Sequence, residues 1–167
     1  MDINELKRRY LAGERDFHEV NLRGADLRKA YLPEINLSRA NLHKADLTEA
    51  NLTGANFYQA NLAKANLHQA VLNEAILHGT DLKGANLHRA SLIKADLHKA
   101  DLKGAILKHT FLSEANLQGA NLDRAQLSWA NLRKADLDQA HLNRANVSGA
   151  KFCRTKMPDG SVRDEDC

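Results

Sequence analysis

An apolar residue recurs at every fifth position from Phe17 to Phe152 without a slip in register, and few backbone geometries can bury such a pattern on one side. Of the 28 centres of this period (Phe17, Leu22, Leu27 and onward), 24 are Leu. The position two before each later centre is Ala in 23 of 27 cases, so each repeat brings one large and one small apolar side chain. Asn or Asp usually stands between them, in units such as Ala40-Asn41-Leu42-His43-Lys44. An α-helix turns about 100° per residue, so Leu at this spacing circles the cylinder and leaves no stripe. A flat strand alternates its faces, so an odd spacing sends successive Leu to opposite sides. The chain must bend once per repeat, always in the same sense, and stack coil on coil at about 4.8 Å so that its backbone groups pair.

Glycine marks where the bend falls. Seven of the nine glycines lie inside the period, and Gly24, Gly54, Gly79, Gly84, Gly104, Gly119 and Gly149 all sit two residues after a centre. Gly accepts positive φ at no steric cost, which places the corner at this register. The Asn or Asp before each centre can bond nearby backbone and favours the same bend. Disorder is excluded, because disordered low-complexity chains lack a strictly spaced apolar residue. Burying the Leu side chains at roughly 1.5–3 kcal/mol each gives a gross term on the order of tens of kcal/mol, most of it offset by chain entropy.

Tandem A-(N/D)-L-x-x units resemble the pentapeptide-repeat family, and the resemblance covers residues 17–157. It implies an all-β fold, a right-handed quadrilateral β-helix with four repeats per coil. That makes about seven coils and a length of about 33 Å at the usual inter-strand spacing. It also implies an interior filled by side chains, with no ligand cavity or channel. The opening Tyr10-Leu11-Ala12-Gly13-Glu14-Arg15-Asp16-Phe17 and the closing Met157-Pro158-Asp159-Gly160-Ser161 are similar to the cyanobacterial branch.

Three segments follow: a capping helix in 1–14, the repeat array over 15–157, and a turn and tail over 158–167. An open coil end is an exposed strand edge, so both ends need cover. Asp2 with Glu5 three residues on has the form of a capping box, Ile3, Leu6 and Tyr10 share a helical face, and Gly13 suits a helix stop, which predicts a helix over 3–12. Pro158-Asp159-Gly160 is a turn signal ahead of an acidic tail. A disulfide between Cys153 and Cys167 would close a short loop over the last coil and add ~3 kcal/mol by loop entropy, whereas a reducing cytoplasm argues against a standing bond. The polar start, Met1-Asp2-Ile3-Asn4-Glu5, is unlike a secretory signal, and no apolar run of membrane-spanning length is present, so the cytoplasm is the expected location.

The surface carries whatever function there is. Residues twenty apart stack on one face, and the face centred on Leu22, Leu42 and Leu62 through Leu142 bears Arg23, Lys44, Lys64, Lys83, Lys103, Arg124 and Arg144 against Asp81, Asp101 and Asp123. Such a column suits an acidic protein surface or a phosphate backbone. It lacks accompanying stacking aromatics, which disfavours single-stranded nucleic acid. A second face carries Tyr31, Val71 and Phe111 in place of Asn or Asp, with Ile93 and the series Glu34, Glu74 and Glu114; it is a candidate docking surface or plain packing. Trp129 is a lone aromatic at a corner register. His68 should stack on His88, and His78 on His98, but two imidazoles without a third ligand make an incomplete metal site.

No phosphate loop, nucleophile elbow or zinc-spaced Cys/His set occurs, so neither enzyme chemistry nor a cofactor is expected. The reading is a protein-interaction or scaffolding rod whose partner the sequence does not name. Nucleic-acid binding through the basic face is the alternative. Relatives that imitate duplex DNA and bind gyrase offer another, but that mimicry needs a strongly negative surface, and this chain has 24 Lys and Arg against 21 Asp and Glu.

Overall fold

The computed structural model describes residues 1–167 as one solenoid behind a short N-terminal helix. Successive coils pair in parallel at a constant offset of twenty residues, from Asp16 with Asn36 to Asp136 with Lys156. The N–H of each centre from Phe17 to Leu137 donates to the carbonyl nineteen residues on (Leu22 to Asn41, 2.8 Å). The N–H of the residue before each centre donates back to the preceding coil (Asn41 to Val20, 2.9 Å). Of 116 backbone hydrogen bonds, 109 lie outside regular helix or strand, so the ladder between coils holds the fold although no coil contains a conventional strand.

The corners from Leu22 to Val147 share one geometry. The residue three after a centre donates to the centre's carbonyl, as Ala45 does to Leu42 at 2.9 Å, and the residue two after it has positive φ. This is the pattern of a type II turn, which explains where the glycines fall. The left-handed conformation is equally imposed on Lys44, Arg89, Trp129 and the other non-glycine residues of that register, with φ of 59°, 58° and 61° for these three. The Asn or Asp before the centre accepts the N–H two residues ahead, as Asn56 does from Tyr58 at 2.9 Å and Asn61 from Ala63 at 3.0 Å. A short side chain thus braces its own corner where Asn or Asp stands before the centre.

Leu and Ala of all four sides meet in one continuous core. Thr80 and Thr110 replace Ala in that core and are fully buried. Their hydroxyls donate to the carbonyls of Phe57 (2.7 Å) and Leu87 (2.8 Å), which satisfies them.

Helix α1 (Ile3–Leu11) lies across the first coil with Leu6 and Tyr10 buried and Ile3 packed against the core. It ends at Ala12, ahead of Gly13 with φ of 97°. Its cap differs from the expected capping box. Asp2 is the N-cap residue, but its side chain makes no capping bond. The end is tied down by other groups: the Met1 ammonium donates to the Asn21 carbonyl, the Tyr10 hydroxyl donates to Pro33 O at 2.8 Å, and Arg9 pairs with Glu14.

At the far end, strands β1 (Thr155–Lys156) and β2 (Val162–Arg163) form an antiparallel hairpin around the Pro158-Asp159-Gly160 turn. The tail then folds back over the last side. Cys153 and Cys167 are joined in a disulfide, which resolves the alternative the sequence left open. No helix is long and apolar enough to cross a membrane.

Candidate functional site

The twenty-residue offset aligns the seven basic residues of the Leu22–Leu142 side, but they are not equivalent. Lys83 lies 3.5 Å from Asp81 and 3.2 Å from Asp101, one coil on, and of the seven it alone is ion-paired. Those carboxylates, Asp101 foremost, raise its pKa. Asp123 is engaged with Asn143, accepting from its backbone N–H and its amide, each at 3.0 Å. Arg23, Lys44 and Lys64 form no ion pair, nor do Lys103, Arg124 and Arg144. His43 is set among the first three: burial first, then Arg23, Lys44 and Lys64 in turn, hold its pKa below the usual value, with Asp81 opposing them more weakly. The structure thus breaks an apparently uniform column into a cationic stretch at the N-terminal end, a neutralised middle at Lys83, and Lys103, Arg124 and Arg144 beyond it.

The second face is also divided. Tyr31 is 69% exposed and Phe111 48%, while Val71 is half-buried. Asn51 and Ser91 occupy the intervening rungs, since the pairing runs Tyr31–Asn51–Val71–Ser91–Phe111. The three are isolated apolar spots, with no continuous patch. Tyr31 has a different neighbourhood, a shallow cleft with Tyr10, Leu11 and Pro33 at the helical cap. Leu11 is 85% exposed there. Leu11 follows the inward-facing Tyr10 directly, which turns it about 100° away from the core, a signal the helical pattern of Ile3, Leu6 and Tyr10 already carries.

Trp129 is 62% exposed and lies at the end of a column of rings. His68 stacks on His88 with centroids 5.3 Å apart, His88 meets His109 edge-on at 5.6 Å, and His109 stacks on Trp129 at 6.4 Å. The far side of the indole covers Gly149, where an added Cβ would come within 2.7 Å of the ring. On the opposite side of the coil His78 and His98 lie with centroids 4.9 Å apart, but their planes are tilted by 45°, so this pair is adjacent without the expected stacking. The group of three potential metal-ligand side chains close enough to share an ion is Cys153, Asp164 and Cys167, whose sulfurs are already bonded to each other.

The family model for pentapeptide repeats matches residues 16–54, 50–89, 80–119, 95–133 and 120–157. No curated protein matches this chain in sequence. Among solved structures, HetL, a pentapeptide repeat protein involved in heterocyst differentiation regulation in the cyanobacterium Nostoc sp. strain PCC 7120, is 31% identical; the match covers 98% of this chain and all of HetL, with a TM-score of 0.47. Rfr23 from the cyanobacterium Cyanothece 51142 is 29% identical over 96% of this chain and 98% of its own, with a TM-score of 0.46. Full-length QnrB1, a plasmid-mediated fluoroquinolone resistance protein, is 15% identical over 89% and 91%, with a TM-score of 0.47.

Proposed function

The chain belongs to the pentapeptide-repeat family, and from that premise we propose that it is a non-catalytic adaptor rod that docks an acidic surface of a protein partner through Arg23, Lys44 and Lys64. The observation that carries this reading is the alignment of Arg23, Lys44 and Lys64 along one side of the first coils, none of them in an ion pair, unlike Lys83. His43 lies among them, and burial, then these three charges, hold its pKa below the usual value against a weaker opposing effect of Asp81. Lys103, Arg124 and Arg144 extend the field along the rod, and Tyr31, Val71, Phe111 and Trp129 are secondary contacts. The right-handed sense, the count of about seven coils and the cytoplasmic setting belong to the same proposal. Within it the Cys153–Cys167 pair, with Cys153 half-buried and Cys167 exposed, is a couple whose state follows its surroundings.

Imitation of DNA is disfavoured by the net charge of +3. Direct binding of duplex DNA remains the competing reading, because the same cations suit phosphates. The two separate in one experiment. Immobilised wild-type protein and the R23E/K44E/K64E variant are challenged with cyanobacterial lysate and, separately, with duplex DNA. A protein captured by the wild type, released by salt and lost on the variant supports the adaptor. Capture that survives the three reversals sinks it, and DNA binding with a steep salt dependence replaces it.

A further inference from the structure

The two halves of the C-terminal end are finished differently. In the ladder, a centre and the residue two after it both donate their N–H groups to the next coil, as Leu122 does to His141 and Arg124 to Asn143. On the last side these donors are Phe152 and Arg154, and side-chain carboxylates take the place of the next coil's carbonyls. Phe152 N–H donates to Asp166 Oδ2 at 2.8 Å, and Arg154 N–H donates to Asp164 Oδ1 at 2.7 Å. The spacing of two between the carboxylates matches the spacing of two between the donors, with the tail running antiparallel to the side it covers. Asp166 N–H returns a bond to Phe152 O, also at 2.8 Å, and Arg133 donates to Asp166 O. An Asp-x-Asp segment held in a turn is therefore a working substitute for a coil.

The neighbouring sides have no such cover. The N–H groups of Leu142, Arg144, Val147 and Gly149 make no hydrogen bond, although they hold the same ladder positions. Leu142, Ala145 and Val147 are half-buried, whereas the equivalent residues of the coil before, Leu122, Ala125 and Leu127, are completely covered. Arg144 stands at this edge with Arg124 one coil beneath it, neither of them ion-paired. Unpaired donors, a half-covered apolar floor and two free guanidinium groups call for an occupant with acceptors and negative charge.

We propose that the edge formed by Leu142–Gly149 binds an acidic segment of a partner protein, whose Asp-x-Asp carboxylates accept from Leu142 and Arg144 N–H as Asp166 and Asp164 do from Phe152 and Arg154. The partner caps an open edge, its side-chain acceptors reading the donor pair. The site is separate from the Arg23–Lys64 stretch and stands or falls without it.

The test titrates isotope-labelled full-length chain with a capped peptide containing Asp-Ser-Asp, its Asn-Ser-Asn counterpart serving as control, and follows amide shifts and hydrogen exchange. The expected result is shifts and slowed exchange at Leu142 and Arg144, with affinity reduced at least about tenfold for the Asn peptide and for the R124E/R144E variant, a loss of about 1.4 kcal/mol. R23E/K44E/K64E should bind the peptide as the wild type does. Exchange at Leu142 and Arg144 is also read on R124E/R144E without peptide, so that a folded variant with an open edge is told from an unfolded one. Shifts confined to the Arg23–Lys64 stretch would overturn the end site and leave the adaptor reading standing. Concentration-dependent shifts at Leu142 without peptide would overturn it in favour of self-association, and fast exchange at these amides at every peptide concentration would overturn it outright.

Discussion

At the scale of single residues, the corner register is where side-chain identity meets backbone demand. Trp129 adopts positive φ and lays its ring over Gly149, the one residue small enough to sit beneath it. Gly149→Ala should push the indole off its seat and off His109. Because the chain has one Trp, a red-shifted emission with little change in far-ultraviolet dichroism is the expected outcome; unchanged emission would mean the ring is not held there. His88 is a second case. Burial, then His68, Arg89 and His109, hold its pKa down, so the unfolded chain binds more protons once the pH falls through the usual histidine range. His88 therefore costs stability on acidification, as does His43, while His18, raised by its bond to Asp16, acts in the opposite sense. Urea midpoints measured at about pH 7.5 and 5.5 should draw together in His88→Gln relative to wild type. An unaltered gap would assign the acid sensitivity to other groups.

The repeat unit was legible before any coordinate, and its ends were not, for a physical reason. Core and corner obey a period, and a period can be read from one chain; a cap obeys only its local geometry. The capping-box spacing of Asp2 and Glu5 was present, yet Asp2 makes no such bond, because Met1, Tyr10 and Arg9 anchor the helix by contacts with no sequence rhythm. The tail was read as merely acidic, although its Asp-x-Asp spacing matches the amides of Phe152 and Arg154; that match depends on a fold-back which periodicity does not encode. Lys83 and its carboxylates are all countable on this face, but a formal sum does not say which cation they neutralise. Asp101 lies eighteen residues on, two positions back on the next coil, and only the geometry shows it paired with Lys83. The tail also yields a prediction. The disulfide closes a loop with a sequence separation of 14, so Cys153→Ser should lower stability by about 3 kcal/mol in the chain-entropy view. The drop should be matched by wild type under reductant and absent from the variant under the same treatment. A variant that melts with oxidised wild type would show that Asp164 and Asp166 hold the tail unaided.

For the molecule as a whole, contacts reach only one coil up and one coil down, so length and stability scale together. Removing residues 61–80 deletes one complete turn of the ladder and should leave a shorter, cooperatively folded protein with its outer faces still aligned. Removing only 61–65 shifts every later column by one side, sets the second half of the basic face beside the wrong neighbours, and should abolish partner capture even if the chain still folds. Equal capture by both deletions would mean the two halves of the face are not read together. The direction of the inter-coil hydrogen bonds has a mechanical consequence. They run along the rod, and the chain enters at one end and leaves at the other, so tension between the termini loads them end-on and opens them rung by rung, where a sheared strand would resist with all its bonds at once. Each turn so released would yield about 60–65 Å of slack. The stretch between Cys153 and Cys167 would be withheld by its sulfur staple, making the rod compliant under pull and graded in how it gives way.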